Sequence, residues 1–201
     1  MKGSLYRLSK KRGAILLYAV ITLAGFPLSA KLVISESYQY YNVKANSVSG
    51  LTSAVNLASP IKNDGEIFHG LTEWSIQWRY KFLKTRSSCK LNQVETNLTL
   101  SYTMPQLLTD KESVNQVWQL WYVNLHKHEL GHGDLAKQVA KALNDSLIQL
   151  TEYDNCKRLE KDANQLGYDY LTQLNEQSAA YDKKTNHGET QGAWLYQNLP
   201  W

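Results

Sequence analysis

Apolar residues recur at Val114, Val117, Trp118, Trp121, Leu125, Leu135, Val139, Leu143 and Leu147, a spacing of three and four that lays one stripe along a helix. The spacing predicts a helix from about Asp110 to Leu150, entered through a capping box at Thr109-Asp110-Lys111-Glu112. A second long helix is predicted from about Cys156 to Ser178. Upstream the period changes to two. Trp74 to Phe82 alternates strictly, Val94 to Tyr102 alternates through Thr96, Leu98 and Leu100, and the tyrosine-rich Ser37 to Val43 is strand-like. These segments read as an antiparallel sheet with one buried face, and Trp74, Trp78, Tyr80 and Phe82 are assigned to its core. Between the first two strands, Ser47 to Leu57 carries a weak helical period, followed by a turn signal at Asn63-Asp64-Gly65. The segment from Tyr181 to Trp201 is glycine-punctuated and aromatic, and is expected to pack as an irregular cap. The fold class is α+β, with the antiparallel sheet packed against two long antiparallel helices.

The N-terminus reads differently. Lys2, Arg7, Lys10, Lys11 and Arg12 form a basic region, Ala14 to Phe26 an apolar one too short to span a bilayer comfortably, and Pro27-Leu28-Ser29-Ala30 a cleavage site. Residues 1–30 are therefore expected to be a signal peptide and 31–201 a single exported domain, periplasmic or extracellular, with no stable membrane span after cleavage. Those thirty residues hold five positive charges and no negative ones, so the net charge of +4 for the whole chain becomes −1 without them. The remaining Lys and Arg are interspersed with Asp and Glu, which speaks against a nucleic-acid surface. Cys89 and Cys156 both lie in the exported portion, where an even pair is expected to form a disulfide.

The chemistry sits on the long stripe. His128-Glu129-Leu130-Gly131-His132 places two imidazoles one helical turn apart with a carboxylate beside them, the arrangement in which His128 and His132 hold zinc and Glu129 serves as general base toward a water. Because both histidines continue the apolar stripe, the triad faces the protein interior, and buried polar groups there need a partner such as a metal. His126 projects to nearly the opposite side and is expected at the surface. The pattern in which glycine stands at 135 and histidine at 138 is excluded by Leu135 and Gln138. A third ligand twenty residues beyond the second histidine would be Glu152, but an unbroken helix carries it roughly 30 Å away at 1.5 Å per residue. A returning antiparallel helix instead delivers Tyr181 to Gly188 to the level of the motif, making His187 the preferred third ligand, with Glu152 and then His69 behind it. In that arrangement Tyr181 is positioned to donate to a developing oxyanion and Asp182 to orient a liganding imidazole.

From residue 38 to 194 the chain resembles a bacterial family of predicted secreted zinc-dependent proteases, still described as a domain of unknown function. The resemblance is carried by Tyr40-Tyr41, Gly70-Leu71-Thr72-Glu73-Trp74, Cys89, Cys156, His128 to His132, Tyr181-Asp182 with Thr185, His187-Gly188, and Gln191-Gly192-Ala193. It implies an exported metallopeptidase with one disulfide and lends weight to His187. The expected function is hydrolysis of peptide or protein substrates with one zinc ion. A non-catalytic cell-envelope binding or assembly module with a structural zinc, and an amidase acting on cell-wall peptides, remain open as alternatives, as does an envelope partner.

Overall fold

The computed structural model describes residues 28–63 and 65–200. The basic and apolar regions of the N-terminus and Pro27 lie outside the described residues, so the signal-peptide expectation falls outside them too. The elements in chain order are β1 (Ser29–Lys44), α1 (Leu51–Ala58), β2 (Lys62–Asn63), β3 (Glu66–Ile67), β4 (Leu71–Lys84), β5 (Cys89–Leu108), α2 (Glu112–Ile148) and α3 (Cys156–Thr185). Two 3-10 turns, Glu189–Gln191 and Leu195–Asn198, follow. Strand β1 begins two residues before the expected cleavage point.

The alternation places Trp74 and Ile76 of β4, and Val94, Thr96, Leu98, Leu100, Tyr102 and Met104 of β5, on one buried face. Against it lies the predicted stripe of α2, with Val114, Trp118, Trp121, Leu125, Val139, Leu143 and Leu147 all buried. Helix α3 runs back antiparallel to α2 and adds Leu159, Ala163, Leu171 and Leu174 to the same core. A Cβ on Gly167 would lie 2.2 Å from the Trp78 ring, so the absence of a side chain there is what lets α3 approach β4. The α+β class and the helix pair are as the pattern predicts.

The sheet, however, is mixed. Its order is β1-β5-β4: β4 and β5 are antiparallel, whereas β1 pairs parallel to β5 from Ser29↔Gln93 to Lys44↔Leu108. Alternation reports which face of a strand is buried and carries no information about its neighbour's direction, so the expectation of a wholly antiparallel sheet is corrected here. Helix α1 starts at Leu51 behind Gly50 rather than at Ser47, and the capping box at the start of α2 does not form. The Thr109 hydroxyl donates to the Ala45 carbonyl at 2.7 Å and accepts from the Lys111 N–H at 3.2 Å. Helix α3 continues seven residues beyond the expected Ser178, ending at Thr185 with Lys183 and Lys184 near the partial negative charge of its C-terminus. Among the described residues no helix is long and apolar enough to cross a membrane.

The cysteines form the expected disulfide, Cys89 to Cys156, joining the start of β5 to the start of α3. Beside it, the backbones of Cys89 and Tyr153 exchange two hydrogen bonds of 2.8 Å. For a sequence separation of 67 residues, chain-entropy reasoning expects the Cys89→Ser/Cys156→Ser variant to lose about 4 kcal/mol in chemical denaturation, with β5 and α3 otherwise in place.

Candidate metal centre

Helix α2 presents His128, Glu129 and His132 to α3 and β4, at 3%, 2% and 1% exposure. Helix α3 answers with Ser178, Tyr181, Asp182 and Thr185, whose spacing of three and four puts them on one face. The ligand atoms of His128, His132 and Asp182 lie within 4.8 Å of one another. Asp182 Oδ1 is 3.0 Å from His132 Nε2 and 3.4 Å from His128 Nε2. In a tetrahedral zinc site with bonds of about 2.0 to 2.1 Å, neighbouring donors are roughly 3.3 Å apart, so these separations fit the ion. Two neutral imidazoles and one carboxylate are also a donor set zinc accepts. The cluster is thus suited to a single Zn2+.

Both imidazoles are oriented from behind. His128 Nδ1 lies 2.8 Å from Gln191 Oε1, and His132 Nδ1 lies 2.8 Å from Ser178 Oγ. With the Nδ1 hydrogens donated to these oxygens, each Nε2 is the atom turned to the cluster centre, donating to Asp182 when the imidazole is protonated and free to ligate when it is neutral. Gln191 does two jobs, because its Nε2 also donates to the Tyr181 hydroxyl at 3.0 Å. The Tyr181 ring stacks on His128 at 5.2 Å and meets His132 edge-on at 4.9 Å. Gly131 of the motif is explained by this packing, since a Cβ there would lie 2.2 Å from the Tyr181 hydroxyl.

Glu129 stands beside the cluster without joining it. Its Oε2 accepts from the Thr72 hydroxyl at 2.7 Å, and a Cβ on Gly70 would come within 2.7 Å of its Oε1. Burial pushes the Glu129 carboxyl up, with the Thr72 hydrogen bond and the two imidazoles opposing that rise. For Asp182 the balance reverses: burial raises it, but hydrogen bonds from His128 and His132 hold it well below the usual carboxylate range. His128 is correspondingly raised, its burial outweighed by Asp182, Glu129 and Gln191.

Five residues singled out by the sequence therefore converge: His128, Glu129, His132, Tyr181 and Asp182. Asp182, expected to orient a ligand, itself supplies the third converging atom. His187, expected as the third ligand, lies outside the converging set, with Nδ1 3.9 Å from Asp182 Oδ1 and its side chain 42% exposed. It sits in a left-handed run, φ 47° at Asn186, 51° at His187 and 85° at Gly188, that turns the chain sharply after α3. Such a backbone at a histidine is uncommon and accords with a functional position. Glu152 is exposed beyond the unbroken end of α2, away from the cluster. His69 is occupied elsewhere, bonded to Asn56 Oδ1 at 2.7 Å, and burial lowers its pKa to about 4. His126 meets the Tyr38 hydroxyl at 3.1 Å on the side toward β1. The residues that sequence reasoning left without roles are Thr72, Ser178 and Gln191. Thr72 and Gln191 lie inside the conspicuous segments Gly70–Trp74 and Gln191–Ala193, whereas Ser178 is marked only by standing four residues before Asp182.

Gln191→Ala is expected to weaken zinc binding about 10- to 100-fold, since loss of an orienting partner of a liganding histidine has effects of that size. Competition against a chromophoric chelator measures it, and an unchanged affinity would remove Gln191 from this role.

In a comparison with known families, residues 38–188 fit the family described as "Bacterial protein of unknown function (DUF922)". No curated protein and no solved structure matches the chain.

Proposed function

The chain belongs to the DUF922 family of bacterial proteins, and from that premise and the geometry of its buried cluster we propose that it is an exported zinc-dependent peptidase. The observation that carries this reading is Glu129. At a purely structural zinc site a buried carboxyl beside the ligands serves to orient an imidazole, whereas Glu129 is raised by burial and held by Thr72, the imidazoles being oriented by Gln191 and Ser178. Zinc, when bound, supplies Lewis acidity that polarises a carbonyl and brings the pKa of a water near neutrality. His128, His132 and Asp182 are the residues that would hold it.

The remaining steps belong to the protein. Glu129 accepts a proton from the attacking water and delivers it to the leaving amine nitrogen, the double role expected of a carboxyl whose pKa has been moved toward the working pH. Thr72 fixes one of its oxygens, so the other is left to receive the proton. Tyr181, held by Gln191, and the more exposed His187 flank the cluster as donors to the oxygen of the tetrahedral species. Export is supported by the basic and apolar N-terminus and by a disulfide, which persists in oxidising compartments.

The experiment is digestion of an unbiased peptide library by the purified chain carrying one equivalent of zinc, with chelation and zinc restoration as controls. Zinc-dependent cleavage at internal peptide bonds supports the reading. Tight zinc binding without any cleavage would favour the envelope module, and cleavage confined to cell-wall peptides would favour the amidase.

A further inference from the structure

The two outer strands of the sheet are built very differently. Strand β4 carries Glu73, Arg79, Lys81 and Lys84 and a register shift between Lys81 and Phe82, features that discourage another strand from joining. Strand β1 is less defended, having no such irregularity and a lower density of charge. It runs for 16 residues in unbroken register with β5, contains no proline, and has only Lys31, Glu36 and Lys44 as charged residues. Among the described residues its outward edge makes no backbone hydrogen bond. The strand also leaves large side chains in solvent: Ile34, Tyr38 and Tyr40 are 42%, 40% and 54% exposed. An edge this long and this weakly charged is a template for a further strand.

We infer that β1 pairs antiparallel with β1 of a second copy of this chain, about a two-fold axis through Tyr40, joining two three-stranded sheets into one. The charges select both the occupant and the register. An axis perpendicular to the sheet sets residues of the same face opposite one another, so even-numbered positions of β1 oppose even-numbered ones. Glu36 and Lys44 are the only oppositely charged residues on one face, and only one register sets them against each other. In that register Glu36 opposes the partner's Lys44 at both ends of the paired segment, Tyr38 opposes the partner's Asn42, and the two Tyr40 side chains meet at the centre. Opposite charges and aromatic rings directly across an antiparallel pair are the favourable combinations. Glu36 is already oriented, its Oε1 2.9 Å from Lys137 Nζ. Tyr38 is likewise fixed by stacking on Tyr102 at 4.9 Å and by its hydrogen bond to His126. Beside Tyr40 opens a cavity of about 550 Å3, with Trp118 and Tyr122 in its wall, which gives the two opposed Tyr40 rings room to pack. The inference stands apart from the peptidase reading, since these residues face β1 and the metal centre faces β4 and α3.

Sedimentation velocity of the purified exported chain is expected to show a concentration-dependent dimer. Glu36→Lys and Lys44→Glu are each expected to raise its dissociation constant roughly tenfold, and the double reversal to restore it. Under oxidising conditions Tyr40→Cys is expected to form a covalent dimer, whereas Ile34→Cys, which does not oppose itself in this register, is expected not to. The two native cysteines are already paired and do not compete. A wild-type chain that stays monomeric at every concentration reached overturns the proposal. So does a dimer that is indifferent to the charge reversals, or one in which Ile34→Cys cross-links as readily as Tyr40→Cys.

Discussion

Glutamine in place of Glu129 is expected to leave one zinc bound per chain and to lower kcat for peptide hydrolysis by about three orders of magnitude, the range found when a positioned general base is removed. The substitution keeps the shape of the side chain. The Thr72 hydroxyl still finds an acceptor at the position it now reaches at 2.7 Å, and the tight fit against Gly70 is unchanged. What disappears is the ability to take a proton. The pH profile provides a second readout. A base must be ionised to act, so activity in the wild type falls as pH drops through the raised pKa of Glu129, and that acidic limb is expected to vanish from the residual activity of the glutamine variant. Metal analysis alongside the kinetics separates loss of the base from loss of the ion. Turnover equal to wild type with zinc retained would eliminate Glu129 as the base.

Asp182→Ala is expected to abolish stoichiometric zinc binding, with affinity reduced more than about a hundredfold, because even the partners behind metal ligands contribute 10- to 100-fold. Asp182 Oδ1 is the atom toward which both Nε2 atoms point, at 3.0 and 3.4 Å. Its removal leaves two buried imidazoles without their anionic neighbour as well as an ion short of a donor. His187→Ala is the necessary companion. With Nδ1 3.9 Å from Asp182 Oδ1 and a side chain 42% exposed, His187 is expected to be replaceable with zinc retained and turnover reduced. The reverse pattern, zinc lost with His187→Ala and kept with Asp182→Ala, would restore the histidine as third ligand and return the aspartate to an orienting role. Equilibrium dialysis against a chelator at fixed free zinc distinguishes the two patterns.

The contrast between these two residues shows where one-dimensional reasoning runs out. Position along α2 follows from a period of 3.6, so His128, Glu129 and His132 are legible as one inward-facing group from their spacing alone. Asp182 and His187 lie on either side of a helix end that the pattern places at Ser178 and the fold places at Thr185. Those seven residues of additional helix put Ser178, Asp182 and Thr185 in phase with α2 and leave His187 on the turn beyond. Helix length at that end is governed by packing against α2 and by the left-handed turn, both of which depend on the rest of the fold. The capping box does not form because the Thr109 hydroxyl, tied to the Ala45 carbonyl sixty-four residues away, accepts from the Lys111 N–H at 3.2 Å rather than from the N–H three residues on.

The chain's own pattern of apolar and polar positions determined which segments are strands and which are long helices, the buried faces of β4 and β5, and the histidine pair beside Glu129. Local periodicity suffices for these because each is a property of a single element. Only the tertiary structure decided that β1 joins parallel to β5, that Asp182 completes the cluster, that Gln191 and Ser178 orient its imidazoles and that Thr72 holds Glu129 beside it. Each of those is a relation between elements distant in sequence, set by which surfaces bury together once the helices have closed on the sheet.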